Sequence, residues 1–187
     1  MNTEQTDEQL AQAAKADHAA FEDLYHRYVT PVYRYCYART NNVVDAEDLT
    51  MQTFLAALES IARYRGQGAF AAWLFSIARR KCADHHRARY AHPKVNLDAA
   101  DQQPDLDAPD PEERASCADV LDCVRQMLPQ LSPDRCEAIQ LRYWGGLPIR
   151  AIAKAMRRSE GAVKMLISRA LNDLRERCLD ESQLARP

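Results

Sequence analysis

The chain has 187 residues, 47% of them hydrophobic and 28% charged, which is ordinary for a soluble globular protein of one or two small domains. No apolar run is long enough to span a bilayer, and the polar, acidic N-terminus MNTEQTDEQL is not a signal peptide. We therefore expect a cytoplasmic protein whose six cysteines stay reduced. Only five glycines and no β-branched alternation of any length favour an all-α fold.

The net charge of −2 conceals blocks of opposite charge along the chain. Residues 1–60 carry ten acids and four bases, whereas residues 61–94 carry eight bases and one acid. Residues 95–113 then carry seven acids and no base. Such blocks predict separate surfaces for separate partners, which a uniform enzyme surface does not need.

Helical periodicity predicts an N-terminal domain over residues 10–90. Pro31 is expected to kink or end its first long helix. A second helix is predicted over Val43–Ile61, with an acidic first turn that the helix dipole favours. Its buried side is assigned to Leu49, Phe54, Leu55 and Leu58.

A third helix follows the glycine-containing break at 65–68. Its apolar face is Phe70, Trp73, Leu74 and Ile77, at the i, i+3, i+4, i+7 spacing of a helix. The helix runs on into a basic stretch that includes Arg79-Arg80-Lys81.

Residues 91–114, rich in proline and acids, are predicted to be a flexible linker between the two domains. The C-terminal domain, 115–178, is predicted to contain four helices. Val120–Leu128 forms the first, and Ser132-Pro133 caps and starts the second, which stops near Gly145-Gly146.

The last two helices, within Ile149–Leu174, have the pattern of a helix-turn-helix unit. Ser159 is a good N-cap for the second of them, and Pro148 suits the start of the first. Residues 146–177 carry eight bases and three acids, a surplus that suits phosphate contacts. The outer side of the second helix, placed to read a major groove, carries Glu160, Lys164, Met165, Ser168 and Arg169. A hairpin that only packs is the plain alternative.

In this order, the pieces resemble a bacterial RNA polymerase sigma factor of the extracytoplasmic-function group. DAEDLTMQTF at 45–54 resembles the polymerase-binding helix of region 2, and YRGQGAFAAWLFSIAR at 64–79 resembles its −10 loop and helix. LSPDRCEAIQLRY at 131–143 resembles the start of region 4, and 149–177 resembles its −35-reading unit. The resemblance implies a non-catalytic protein that binds core polymerase and promoter DNA. It also implies a chain that is monomeric when free, needs no cofactor or metal, and often has an anti-sigma partner.

The resemblance also implies roles for particular residues. Those expected to bind polymerase are Asp45, Glu47, Asp48, Met51 and Gln52. Those expected to bind the −10 element are Arg63, Tyr64, Arg65, Gly66, Gln67, Arg79, Arg80, Lys81 and Arg87. Those expected to bind the −35 element are Arg158, Ser159, Glu160, Lys164, Met165, Ser168 and Arg169. Within the −10 set, Tyr64 and its loop are favoured for base contact, because the periodicity places Phe70 and Trp73 mostly in the core.

The chain departs from the family pattern at several positions. Arg80 stands where asparagine is frequent, Arg157 replaces a common glycine in the turn between the region 4 helices, and Met165-Leu166 replaces a frequent Ser-Arg pair. The −35 code of the family therefore does not transfer to this chain. The acidic linker is expected to occupy a cationic channel of the polymerase, with a soluble tether as the alternative.

Two other functions are considered. A dimeric helix-turn-helix regulator would leave the basic N-terminal domain and the acidic linker unexplained. A helical metalloenzyme would use His85 and His86 with nearby cysteines, but the spacing matches no structural zinc motif and no HExxH pair is present. The two histidines are expected to belong to the basic DNA face, and cysteines such as Cys136 and Cys178 to fill helix-packing space.

Overall fold

The structure is a computed structural model that describes residues 5–66, 69–91 and 123–184. These residues form helices joined by short turns, and none of them forms a strand. The all-α prediction is therefore confirmed. The predicted linker lies almost wholly outside the described residues, as do Gln67 and Gly68.

The N-terminal domain consists of four α-helices and one short 3-10 helix. In chain order they are α1 (Asp7–Ala13), α2 (His18–Thr40), α3 (Val43–Ser60), the 3-10 helix (Ile61–Arg63) and α4 (Phe70–Ala91). α2 packs against α1, α3 and α4, and its fully buried Leu24, Val32 and Tyr35 lie in the core. Pro31 lies inside α2, which runs on for nine further residues to Thr40. The prediction that Pro31 might end this helix was wrong, because tertiary packing on both sides of Pro31 outweighs the lost hydrogen bond.

The turn between α2 and α3 follows from two asparagines. Asn41 ends α2 in the left-handed conformation, with φ of 49°, which asparagine tolerates better than most residues. The Asn42 side chain then accepts a hydrogen bond of 2.9 Å from the Asp45 backbone N–H and caps α3. α2 and α3 are thus joined by a tight connection.

The C-terminal domain begins, among the described residues, with a helical segment at 123–127. It continues through a 3-10 helix (Leu128–Gln130), α5 (Pro133–Tyr143), α6 (Ile149–Met156) and α7 (Glu160–Leu184). α7 packs against both α5 and α6. As predicted, Ser159 caps α7: its hydroxyl accepts a 3.2 Å hydrogen bond from the Ala162 backbone N–H. Ser132 occupies the N-cap position of α5, but its side chain makes no capping bond.

A disulfide joins Cys123 to Cys178, with their Cα atoms 5.6 Å apart. The expectation that all the cysteines are reduced was therefore wrong for this pair. This pairing was not predictable from local pattern, because the two residues are 55 positions apart and the packing of α7 brings them together. Cys36, Cys82 and Cys136 are free thiols, and the sulfur atoms of Cys36 and Cys82 lie 3.9 Å apart in the core of the N-terminal domain.

The two domains pack directly against each other. α4 lies against α6, and α2 contacts α5. Within the described ranges, no helix is both long and apolar enough to cross a membrane.

Candidate polymerase and promoter surfaces

The first turn of α3 divides its acids between two environments. The Asp45 carboxylate lies 3.3 Å from His85 Nε2 and 3.5 Å from Arg89 Nη1, so it faces α4. Glu47 and Asp48 are exposed, and Asp48 accepts a 2.7 Å hydrogen bond from the Gln52 amide. Glu47 and Asp48 are therefore the acids of this turn that are available to an outside partner.

An apolar groove of about 540 Å³ lies between α2 and α3. Its lining residues are Phe21, Tyr25, Val29, Thr30, Tyr33, Glu47, Thr50, Met51, Phe54, Leu55 and Leu58. Met51 is 65% exposed and Leu55 is 54% exposed, although Leu55 was predicted to be buried. Leu55 lies one turn after Met51 on the same edge of α3, and no helix among the described residues covers that edge. The i, i+4 spacing of Met51 and Leu55 places both side chains on this edge of α3, but it carries no signal that the edge is left uncovered.

The Tyr64 ring is buried in this structure. Tyr64 is 5% exposed, and its ring centroid lies 5.8 Å from that of Phe70 and 5.1 Å from that of Trp73. Its ring thus completes the aromatic cluster at the start of α4, and the base contact expected of it stays a prediction. Phe70 is buried and Trp73 partly buried, as predicted.

The loop before α4 presents its charged groups to solvent. Arg63 and Arg65 are exposed, and Gly66 has a φ of +68°, a conformation that favours glycine. The predicted contact at Gln67 lies outside the described residues. The loop arginines are therefore the cationic groups of this segment that can reach a nucleic-acid backbone.

The basic residues of α4 are not equally available. Arg80 is exposed and Lys81 is half-buried, whereas Arg87 is exposed but forms an ion pair with Asp84. Arg79 points at the C-terminal domain and forms an ion pair with Glu137. Burial and the neighbouring Arg39 lower the pKa of His86, which disfavours the cationic form of this side chain. Arg80 is thus the α4 residue that fits a phosphate-contacting role best.

α7 has the two-sided character predicted for a recognition helix. Val163, Ile167 and Ala170 are buried against the rest of the domain. The residues predicted to contact the −35 element are all exposed: Arg158, Ser159, Glu160, Lys164, Met165, Ser168 and Arg169. Arg158 also forms an ion pair with Asp134 of α5. The arrangement leaves an uncovered polar and cationic face at the start of α7.

Family models match both halves of the chain. Residues 24–91 match sigma-70 region 2, and residues 121–174 match sigma-70 region 4. The chain belongs to the extracytoplasmic-function sigma factors of the sigma-70 family. Such factors associate with core RNA polymerase and direct promoter-specific initiation of transcription, and they are initiation factors with no catalytic role of their own.

Curated relatives and solved structures agree with the family assignment. The chain is 38% identical over 182 residues to the sigma factor BldN of Streptomyces coelicolor, covering 92% of this chain and 65% of BldN. It is 31% identical over 181 residues to SigD of Mycobacterium tuberculosis strain H37Rv, covering 94% of this chain and 85% of SigD.

Proteins in two solved complexes share the fold. The structure of CnrH bound to the cytosolic domain of CnrY aligns with a TM-score of 0.65 and 25% identity, over 90% of this chain and 94% of CnrH. RpoE of Bartonella quintana, solved with the anti-sigma factor NepR, aligns with the same TM-score at 22% identity, over 83% of this chain and 94% of RpoE.

Proposed function

We propose that this chain binds core RNA polymerase through α3, contacts the −10 element through α4 and its preceding loop, and contacts the −35 element through α7. The observation that carries this division is the exposure of three chemically different faces on one chain. The α3 face is apolar with acids at its edge, whereas the α4 and α7 faces are polar and basic.

The α3 groove has the chemistry of a protein-binding site. Large apolar side chains that are more than half exposed, such as Met51 and Leu55, gain free energy when a partner covers them. Glu47 lines the groove, and the exposed Asp48 follows it in the sequence, so both acids favour a basic partner surface. Polymerase is the assigned occupant, and an anti-sigma factor that covers the same groove would compete with it. An anti-sigma partner is a reasonable class of competitor, because the sigma factor RpoE, which shares the fold, binds the anti-sigma factor NepR.

The α7 face is suited to reading base edges in a major groove. Lys164 and Arg169 project from its exposed side, and the free first turn of a helix favours phosphate. On α4, Arg80 lies on an exposed face, and the loop before the helix adds Arg63 and Arg65. These side chains supply the phosphate contacts that strand opening requires, whereas the aromatic cluster of Tyr64, Phe70 and Trp73 stabilises the helix start. Because promoter DNA and core polymerase lie in the cytoplasm, we infer that the protein acts there.

The proposal is tested by pull-down with core polymerase followed by in vitro transcription. Leu55→Glu places a charge in the groove and is expected to weaken polymerase binding at least tenfold, because a buried unpaired carboxylate costs more than about 1.4 kcal/mol. Glu59→Lys changes the charge at another exposed position of α3, which does not line the groove, and is the matched control. Equal binding by the two variants would show that polymerase uses another surface.

A further inference from the structure

Arg79 is predicted to contact promoter DNA, but its guanidinium is occupied within the chain. Its Nε and Nη2 both donate to the Glu137 carboxylate, the second at 3.1 Å, and its Nη1 donates to the Ala155 backbone carbonyl at 3.0 Å. Arg79 belongs to α4 of the N-terminal domain, whereas Glu137 and Ala155 belong to α5 and α6 of the C-terminal domain. The Glu137 side chain is 10% exposed, so solvent screens this two-pronged ion pair little.

Two further contacts hold the domains together beside this ion pair. The Gln140 amide donates to the Ala38 carbonyl at 2.8 Å and accepts from Arg39 Nη1 at 3.3 Å. The Phe75 ring of α4 lies against Gly145, where an added Cβ would come within 2.8 Å of the ring. The interface thus combines an ion pair, a buried amide and an aromatic contact that only glycine permits. The interface also has an apolar part, because buried side chains of both domains belong to one hydrophobic cluster. Interfaces between domains of one chain commonly allow the domains to move apart.

The packed arrangement is incompatible with reading both promoter elements at once. By the numbers that name them, the −10 and −35 elements lie roughly 25 base pairs apart, or about 85 Å along B-DNA at about 3.4 Å per step. A compact chain of this length is only about 40 Å across. α4 and α6 are in direct contact, so the domains must come apart before α4 and α7 reach their two elements.

We propose that Glu137 acts as an internal substitute for promoter phosphate and keeps the free chain closed. The Glu137 carboxylate presents two anionic oxygens to Arg79 as a phosphate does, so Arg79 cannot bind both at once. Closing the interface hides Arg79 and keeps α4 against α6, which lowers the affinity of the free chain for DNA. Opening, promoted by polymerase or by DNA, frees the same arginine for the backbone. This inference rests on the proposed promoter roles of α4 and α7.

The test compares three full-length proteins by small-angle X-ray scattering and by fluorescence anisotropy with a labelled DNA duplex of arbitrary sequence. Glu137→Gln removes the charge while keeping the side-chain size. Asp173→Asn is the matched control. The substitution makes the same change of charge, but Asp173 pairs with Arg135 inside the C-terminal domain and not across the interface. The wild-type chain and the control are expected to have a similar radius of gyration, close to the roughly 16 Å of a compact chain plus the contribution of the linker.

Glu137→Gln is expected to increase the radius of gyration by several ångströms and to bind the duplex roughly threefold more tightly or better. The same radius and the same affinity as Asp173→Asn would overturn the proposal. Expansion without a gain in affinity would overturn the assignment of Arg79 as the released group.

A second variant keeps the test decisive if Glu137→Gln loses its helical circular dichroism. Arg79→Gln removes the other half of the ion pair, so it is expected to expand the chain in the same way, without the gain in duplex affinity. A compact Arg79→Gln chain would overturn the role of this pair in closing the chain. Failure of the wild-type chain to support transcription with core polymerase would instead refute the proposed function. The radii of gyration would still show whether the Arg79–Glu137 pair keeps the free chain compact.

Discussion

The Asp45 carboxylate lies 3.3 Å from His85 Nε2, so the first turn of α3 is tied to the second half of α4. Arg89 approaches the same carboxylate at 3.5 Å. The helix proposed to bind polymerase and the helix proposed to bind the −10 element are therefore joined through Asp45. This contact separates the role of Asp45 from that of its exposed neighbours Glu47 and Asp48.

Charge reversal at Asp48 is expected to weaken polymerase binding without unfolding the protein. Asp48 is exposed, and its intramolecular contact is a hydrogen bond from Gln52 on the same helix. Asp48→Lys should therefore leave the thermal midpoint within about 1–2 °C, since surface changes rarely exceed about 0.5 kcal/mol. Asp45→Lys should lower both the midpoint and the affinity, because it also breaks the contacts with α4. Unchanged affinity for core polymerase in the Asp45→Lys, Asp48→Lys double variant would refute the role of this turn.

Arg157 occupies a backbone conformation that suits glycine. It ends α6 in the left-handed region with φ of 55°, where a side chain costs about 1 kcal/mol. Arg157→Gly is expected to stabilise the C-terminal domain by about 0.5–1 kcal/mol, or to raise its thermal midpoint by about 2–8 °C. Arg157→Ala is the control, because it removes the charge but keeps Cβ and so should show no gain. Equal midpoints for the glycine and alanine variants would rule out backbone strain at this turn.

The Cys123–Cys178 bond predicts that reductant destabilises the C-terminal domain. The bond links residues 55 positions apart, and a ring of that size constrains the unfolded chain by about 4 kcal/mol in the entropic description. Protein purified without reductant should therefore unfold at a lower temperature after dithiothreitol is added. The unfolding temperature of Cys123→Ser should not change when the reductant is added. Cys136→Ala is the control, because it removes a cysteine that is outside the disulfide, and it should respond to the reductant as the wild-type chain does. Six reactive thiols in the denatured, unreduced protein would contradict the bond.

Local patterns predicted the helices well, because capping and periodicity act within a few residues. Ser159 caps α7 as predicted, and the inward and outward sides of α7 follow from the 3.6-residue period. The period does not say whether a second helix covers an apolar edge, so Leu55 was wrongly placed in the core. It also cannot show pairings across long separations. Arg79 and Glu137 are 58 positions apart, and the pattern of neither helix indicates that the two side chains pair.

The exposed face of α7 leads to the last prediction, which concerns base readout. Lys164→Ala and Arg169→Ala are each expected to reduce transcription from a promoter that needs its −35 element. A lost base contact costs about 1–3 kcal/mol at its own base pair, and a lost phosphate contact lowers affinity for all sequences alike. Transcription from promoters with single substitutions in the −35 element distinguishes these two effects. A base-reading side chain loses its discrimination at one position, whereas a phosphate-binding side chain keeps the ranking of the promoters.

Arg177→Ala provides the control for this experiment, since Arg177 is an exposed arginine of the same helix that bonds to Gln130 of its own domain at 2.8 Å. It lies two turns beyond Arg169, toward the C-terminal end of α7 and away from the predicted reading face. Its loss should leave promoter ranking and transcription near the wild-type level. If Lys164→Ala and Arg169→Ala behave like Arg177→Ala, the −35 element is read by another face of the domain.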